Sequence, residues 1–413
     1  MGREVPPHSL TLPGPLGYTQ KPSRQAGHST MSQRTQPATD TDAFLLGHAE
    51  SPDWEKAAEQ CLQQIGYIPP GANLGFLYVT DAYARILDTI LEHLRDETGI
   101  QQWIGTVGMG ICASGKEYHD CPAMAALVTS LPRDSFRILP SMERLEDLRL
   151  EALDPWLGNS PCHLAVVHGD PRNPEIPELI TGLAERLPGG YLVGGLSSSR
   201  SLYPQIAEEI TGGGVSGVVF NVDAPVVTAL TQGCVPIAEQ HTITACDRNV
   251  LIGLDDRPAL DVFYEDIGEI LARDPNRAAG YIFAGLPIAG SDTGDYLVRN
   301  LVGIDPEQKL LAIGDLVEKG QTIQFCRRDG RAAWEDLRRM LQQLKQRLRG
   351  RAPRGGVYYT CLGRGRELFG EDSEELRTIR QELGDFPLVG FFANGEISCN
   401  RLYGYTGVLT VFV

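Results

Sequence analysis

The stretch Gly189-Gly190-Tyr191-Leu192-Val193-Gly194-Gly195-Leu196-Ser197-Ser198-Ser199-Arg200 decides how this chain is read. Tyr191 to Val193 is an apolar run that stops at two glycines and three serines. A short apolar run bounded by such residues reads as a buried strand. Glycines, lacking a Cβ, let the backbone turn tightly and approach another group closely. The serines place hydroxyls and backbone N–H groups at the strand's exit, where α/β proteins commonly hold small ligands. A plain glycine turn with solvated serines has the same sequence, so the weight rests on recurrence.

The pattern does recur. A strand from His163 to Val167 is followed by the loop His168-Gly169-Asp170-Pro171. A helix with Ile176, Ile180, Leu183 and Leu187 inward comes next, stopped by Pro188. The Leu192-Val193-Gly194 strand and a strand from Val215 to Val222 complete the unit. The C-terminus repeats this order. Gly356–Cys361 is a strand, Leu362-Gly363-Arg364-Gly365-Arg366 a loop, and Leu376, Ile379 and Leu383 mark a helix closed by Gly384. Leu388-Val389-Gly390 leads into Asn394-Gly395-Glu396, and Gly407–Val413 is the last strand. Near the start, Leu74–Val79, a helix with Ile86, Leu87, Ile90, Leu91 and Leu94, and Trp103-Ile104-Gly105 occupy corresponding places. The expected fold is mixed α/β (α+β), with duplicated strand-helix-strand-strand units forming two layered halves. Residues 1–41 are rich in Pro, Ser, Thr, Gln and Gly and read as a disordered tail. Domains are expected over 42–223 and 224–413. Equivalent strand ends should converge between the halves to make a ligand cleft.

The chain has 413 residues, 42% of them hydrophobic, and a formal net charge of −16. That balance argues against general nucleic-acid binding, which needs a basic face, and against docking on anionic lipid. No apolar stretch reaches the length of a membrane span. The nine cysteines are scattered and include no CxxC pair, which fits neither a disulfide framework nor a zinc site. Reduced thiols and a cytoplasmic location are expected. The start Met1-Gly2-Arg3-Glu4-Val5-Pro6 lacks the residue a myristoylation signal needs at position 6. Met31 is an alternative start.

Three groups of residues are candidates for ligand binding. The glycine N–H groups of Gly363-Arg364-Gly365-Arg366 form a nest, and Arg364 and Arg366 supply forked donors for a carboxylate or phosphate. Asn394 and Glu396 offer oxygens to an ammonium group. Gly194, Gly195, Ser197 and Ser198 hold the equivalent place in the N-terminal half. A surface turn, a turn cap and a glycine turn are the competing structural readings. The helix carrying Trp334, Leu337, Leu341, Leu344 and Leu348 has a basic outer face that reads first as a solvated surface. There is no metal-ligand spacing, and no GxSxG elbow, because serine stands where the second glycine should be. No catalytic residue is assigned, and the chain is read as a non-enzyme.

Taken in order, Gly105-Thr106-Val107-Gly108, Glu117-Tyr118, Val193-Gly194-Gly195 and Gly213-Gly214-Val215-Ser216-Gly217-Val218 resemble FIST domain proteins. Gln232-Gly233-Cys234-Val235-Pro236-Ile237, Leu254-Asp255-Asp256-Arg257-Pro258-Ala259-Leu260, Gly363-Arg364-Gly365-Arg366 and Gly390–Ile397 continue the match, which covers roughly 44–413. The resemblance implies an intracellular sensory module that binds a small ligand such as an amino acid. Nothing but the polar tail lies outside the two FIST regions, so the expectation is a stand-alone sensor that signals through a separate protein. The resemblance also brings a haem-binding nitric oxide sensor as an alternative, with His48, His93, His119, His163, His168 and His241 as available axial ligands and no CxxCH for covalent attachment. A second alternative is a hydrolase using Cys234 or Cys361 with His168, or a serine.

Overall fold

The repeat follows from simple patterning. In the computed structural model, which describes residues 43–148, 153–159, 162–187, 189, 191–272, 280–288 and 296–413, each expected unit forms. The N-terminal tail, Met31, Pro188 and Gly190 lie outside the described residues. Apolar faces of the helices Trp54–Ile65, Leu87–Thr98 and Ile176–Arg186 bury Cys61, Ile90, Leu94 and Leu183 against neighbouring strands. Asp53 caps the first helix by accepting from the Glu55 and Lys56 N–H groups, and Gly99, in the left-handed conformation, ends the second.

The units number three, one more than the expected pair. Each has two parallel strands joined by a helix: Leu74–Thr80 with Trp103–Gly108, Cys162–Gly169 with Tyr191–Leu196, and Gly355–Cys361 with Leu388–Ala393. In each, an antiparallel strand lies against the first of the pair: Ala123–Thr129, Val215–Asn221 and Thr406–Phe412. A further strand flanks that one: Phe44–Glu50, Phe136–Met142 and Val226–Gln232. The first unit is faint in sequence because its strand 103–111 breaks at Met109, and the part beyond leaves for another sheet.

That departure is general. Each unit sends a hairpin onto the second parallel strand of a different unit. Gly110–Ala113 of the first pairs with Leu388–Ala393 of the third. Glu396–Cys399 of the third pairs with Tyr191–Leu196 of the second. Gln205–Ala207 of the second pairs with Trp103–Gly108 of the first. The exchange is cyclic, and the inner faces of all three sheets share one core containing Phe76, Ile104, Val166, Val193, Val357, Val389 and Phe412. The helices lie outside it, on separate clusters.

Between Val226–Gln232 and the helix Gly330–Leu348 the third unit carries an inserted barrel. Its strands His241–Asp247, Val250–Leu254, Leu310–Ile313, Tyr296–Asp305, Ile282–Pro287 and Thr322–Arg328 pair in that order, and the last pairs back onto the first. Closure leaves these strands without a free edge. The helix beginning at Ala259 packs Leu260 and Phe263 into the barrel core against Phe325.

Candidate ligand site

Parallel strands open at their carboxyl ends, and those ends place a cleft where the third unit meets the barrel. After Gly355–Cys361 comes Leu362-Gly363, and after Leu388–Ala393 comes Asn394-Gly395; both loops border a cleft of about 620 Å³. The Leu362 N–H donates to the Ala393 carbonyl at 3.0 Å, which holds the two loops side by side. The barrel contributes Arg299, Asn300 and Asp315, and the exchanged hairpin contributes Arg401 and Tyr405. Arg299 donates through Nε to Asp315 at 2.7 Å and through Nη2 to the Leu402 carbonyl at 3.1 Å. Tyr405 donates to Asn300 Oδ1 at 3.1 Å. These contacts tie the barrel to the hairpin across the cleft.

The cleft's charge is uneven. Arg299 is balanced by Asp315. Arg401 reaches only the side-chain oxygen of Asn400, at 3.1 Å, and has no carboxylate partner among the described residues. Asn394, which is exposed, lines the same cleft. One spare cation with amide groups and tyrosine rings suits a small ligand carrying an anionic group.

Of the residues singled out in the sequence, Asn394 lines this cleft. Gly194 and Gly195 lie inside a paired strand: the register sets Gly195 opposite Glu396 and Gly194 opposite Ile397. Ser197 shares a 2.6 Å hydrogen bond with Thr106, and Ser198 accepts from the Met109 N–H at 2.8 Å while donating to the Phe392 carbonyl. Both serines are buried. The expected convergence of strand ends is real, since the Asn394 N–H donates to the Leu196 carbonyl at 3.0 Å. The two ends, however, pack directly on each other, and the open space lies toward the barrel.

The Gly363–Arg366 loop does cradle an anion, and that anion is part of the chain. Glu375, fully buried, accepts from Arg364 Nε at 2.9 Å and Nη2 at 2.6 Å, from the Gly365 N–H at 3.1 Å and from the Tyr358 hydroxyl at 2.6 Å. Burial disfavours the Arg364 charge, but Glu375 outweighs it and the pKa is raised. Arg366 pairs with Asp120, which also accepts from Arg200. Glu396 is buried behind Cys361, with Oε2 accepting from the Thr406 N–H at 3.0 Å and hydroxyl at 2.7 Å. Burial pushes its carboxyl up to about 8 despite these bonds.

Among the described residues no histidine borders the cleft. His168 sits where the three units meet, 3.1 Å from the Tyr78 hydroxyl, and Tyr78 is 2.8 Å from the Tyr359 hydroxyl. Each unit contributes one of these side chains, from the strands Leu74–Thr80, Cys162–Gly169 and Gly355–Cys361. Burial holds the His168 imidazole down to about 3, so it is neutral. The aromatic rings around it are those of Tyr78, Tyr359 and Phe391. His48 pairs with Tyr118, His119 with Glu117, and His241 with Asp255 and Asp266. His93 packs on Trp54, and His163 faces the Val226 carbonyl. Arg299, Asn300, Asp315, Arg401 and Tyr405 escape the sequence reading because they lie on an insertion and a hairpin with no glycine-polar signature of their own.

The FIST N domain matches residues 73–257, and the FIST C domain matches residues 259–399. The uncharacterized protein Rv0628c of Mycobacterium tuberculosis is 32% identical over 332 residues, covering 75% of this chain and 83% of its own length. The uncharacterized protein Mb0898c of Mycobacterium bovis is 30% identical over 397 residues, covering 89% of this chain and 98% of its own. FIST domains are associated with sensory roles in signal transduction. The chain belongs to the FIST family, with both an N-terminal and a C-terminal FIST domain.

Proposed function

We propose that this protein is a sensory module that binds a small ligand, an amino acid or a related anion, in the cleft between the third unit and the barrel. It passes the occupancy of that cleft to a separate signalling protein and performs no catalysis. One observation carries the reading: the cleft's polar groups come from two bodies, and Arg401, a cation with no carboxylate partner among the described residues, shares its lining with the exposed Asn394. A ligand carboxylate on Arg401 with its polar remainder on Asn394 would draw on both the hairpin and the strand-end loop. Binding would then change how firmly Arg299 and Tyr405 hold the barrel, which gives a signal a mechanical origin. All nine cysteines are free thiols, which fits an intracellular setting. Among the described residues no helix is long and apolar enough to cross a membrane.

The test is isothermal titration of the full chain with the twenty amino acids and small carboxylates, paired with thermal shift. We expect at least one to bind, and Arg401→Ala to weaken it by about tenfold or more, the scale of one charge-assisted hydrogen bond. A folded protein whose melting temperature and titration heats respond to none of them would overturn the reading.

A further inference from the structure

We propose that Arg328 and Arg364 form a buried oxyanion subsite behind Tyr405, which receives a second anionic group, a carboxylate or phosphate, of a ligand whose first carboxylate Arg401 holds in the cleft. This rests on the cleft being a ligand site and names the part of the ligand that enters deepest.

Three guanidinium nitrogens here are orphaned donors. Arg364 is fully buried; its Nε and Nη2 serve Glu375, but Nη1 has no partner. Arg328 buries both Nε and Nη2 with no partner. Buried guanidinium N–H groups left unpaired are costly and uncommon. A guanidinium edge offering Nε and Nη2 together is the fork that binds a carboxylate or phosphate through two parallel bonds. The charge count agrees: Glu375 neutralises Arg364, while Arg328 forms no ion pair among the described residues.

The two arginines belong to one place. Cys234 lies opposite Arg328 in the strand register. A Cβ on the neighbouring Gly233 would stand 3.2 Å from Arg364 Nη1. The Cys326 hydrogen bond and burial raise the Cys234 thiol, and both guanidiniums pull it the other way. Glu396 adds a fourth unpartnered atom, Oε1, to this neighbourhood. Because burial keeps that carboxyl protonated at neutral pH, it is a neutral group there and does not compete as an anion.

Tyr405 lines the cleft and lies near enough to Cys361, Cys234, Arg328 and Glu396 for their charges to act on its hydroxyl. Its ring lies 4.3 Å from that of Phe283, its hydroxyl reaches Asn300, and its carbonyl accepts from the Gly233 N–H at 2.8 Å. Its φ is 60°, a left-handed conformation that is unusual for a bulky side chain and that is found preferentially at functional sites. A rotation of this side chain would open a route from the cleft to Arg328.

The full chain is titrated with sodium phosphate and, separately, sodium acetate, at constant ionic strength against chloride. One of the two should bind at one equivalent and raise the melting temperature: phosphate identifies a phosphoryl ligand, acetate a carboxylate. Arg328→Gln should lose at least tenfold in affinity while keeping its melting temperature in chloride, and Arg328→Lys should lose nearly as much because it keeps the charge without the fork. Neither anion binding, or wild-type affinity in both Arg328 variants, overturns the subsite. Loss of anion binding in Arg401→Ala with wild-type binding in Arg328→Gln would place the anion at the cleft mouth, overturning the subsite and leaving the cleft reading standing. Arg328-dependent phosphate binding with no response to any amino acid or organic carboxylate would keep the subsite and remove the amino-acid reading.

Discussion

At Glu396, burial and hydrogen bonding oppose each other. Thr406 supplies two donors, yet removal from water dominates and the carboxyl titrates at about 8. In the unfolded chain it titrates near about 4.3. Between those values the native state holds a proton that the unfolded state has released. The contribution is therefore full below about 4.3 and is lost as pH rises through about 8, at up to about 1.4 kcal/mol per pH unit. Glu396→Gln keeps the shape and removes the titration. Urea midpoints measured from about pH 5 to pH 8 should fall for the wild type relative to the variant. Parallel curves would mean that Glu396 is ionised in the fold.

Among elements, the parallel strand pair sets the tightest constraint. Gly105, Gly194 and Gly390 occupy the same position in the three units, opposite Leu77, Val167 and Tyr358. A Cβ there would stand 1.8, 1.8 and 1.7 Å from the carbonyl oxygens of those residues. The obstacle is backbone inside a ladder, which cannot move aside as a side chain can. Gly194→Ala and Gly390→Ala should each cost about 3 kcal/mol or more, the upper end of what core overpacking costs. Gly158→Ala, where a Cβ meets nothing within 4 Å, is the control and should be near neutral. Equal urea midpoints for Gly194→Ala and Gly158→Ala would show that the strands can part. On the helix Gly330–Leu348, Arg331 pairs with Glu335 and Arg339 with Asp336 along the helix, and Arg338 pairs with Glu382 of the helix Glu374–Leu383. Such exposed pairs contribute little to stability.

For the whole molecule, the cyclic exchange of hairpins makes the three units interdependent. A fragment of residues 43–257 would strip Tyr191–Leu196 of Glu396–Cys399, Val226–Gln232 of Thr406–Phe412, and Gly110–Ala113 of Leu388–Ala393. It would also cut the barrel after its second strand. Unpaired edges of this kind favour aggregation. The fragment should show no cooperative melt by circular dichroism and should elute as aggregates, whereas the full chain melts in one transition. A monomeric, cooperatively melting fragment would show that the exchange is not required. The shared centre at Tyr78, His168 and Tyr359 has the same origin, because each unit delivers one polar side chain to a place that none could enclose alone.

The sequence by itself determined the mixed α/β character, the helix and strand faces and the recurrence of the Leu-Val-Gly strand, since these depend on local periodicity and on glycines that strand packing demands. It also marked Asn394 and the Gly363–Arg366 loop as unusual. Only the tertiary structure decided that the units number three, because the first unit's strand breaks into another sheet and its repeat signature breaks with it. It turned Arg364 inward to Glu375, sealed Ser197 and Ser198 between packed strand ends, and brought Arg299, Arg401 and Tyr405 to one cleft. Those residues are far apart in sequence, and their meeting depends on closure of a barrel and exchange of a hairpin, long-range pairings that leave no local periodicity to read.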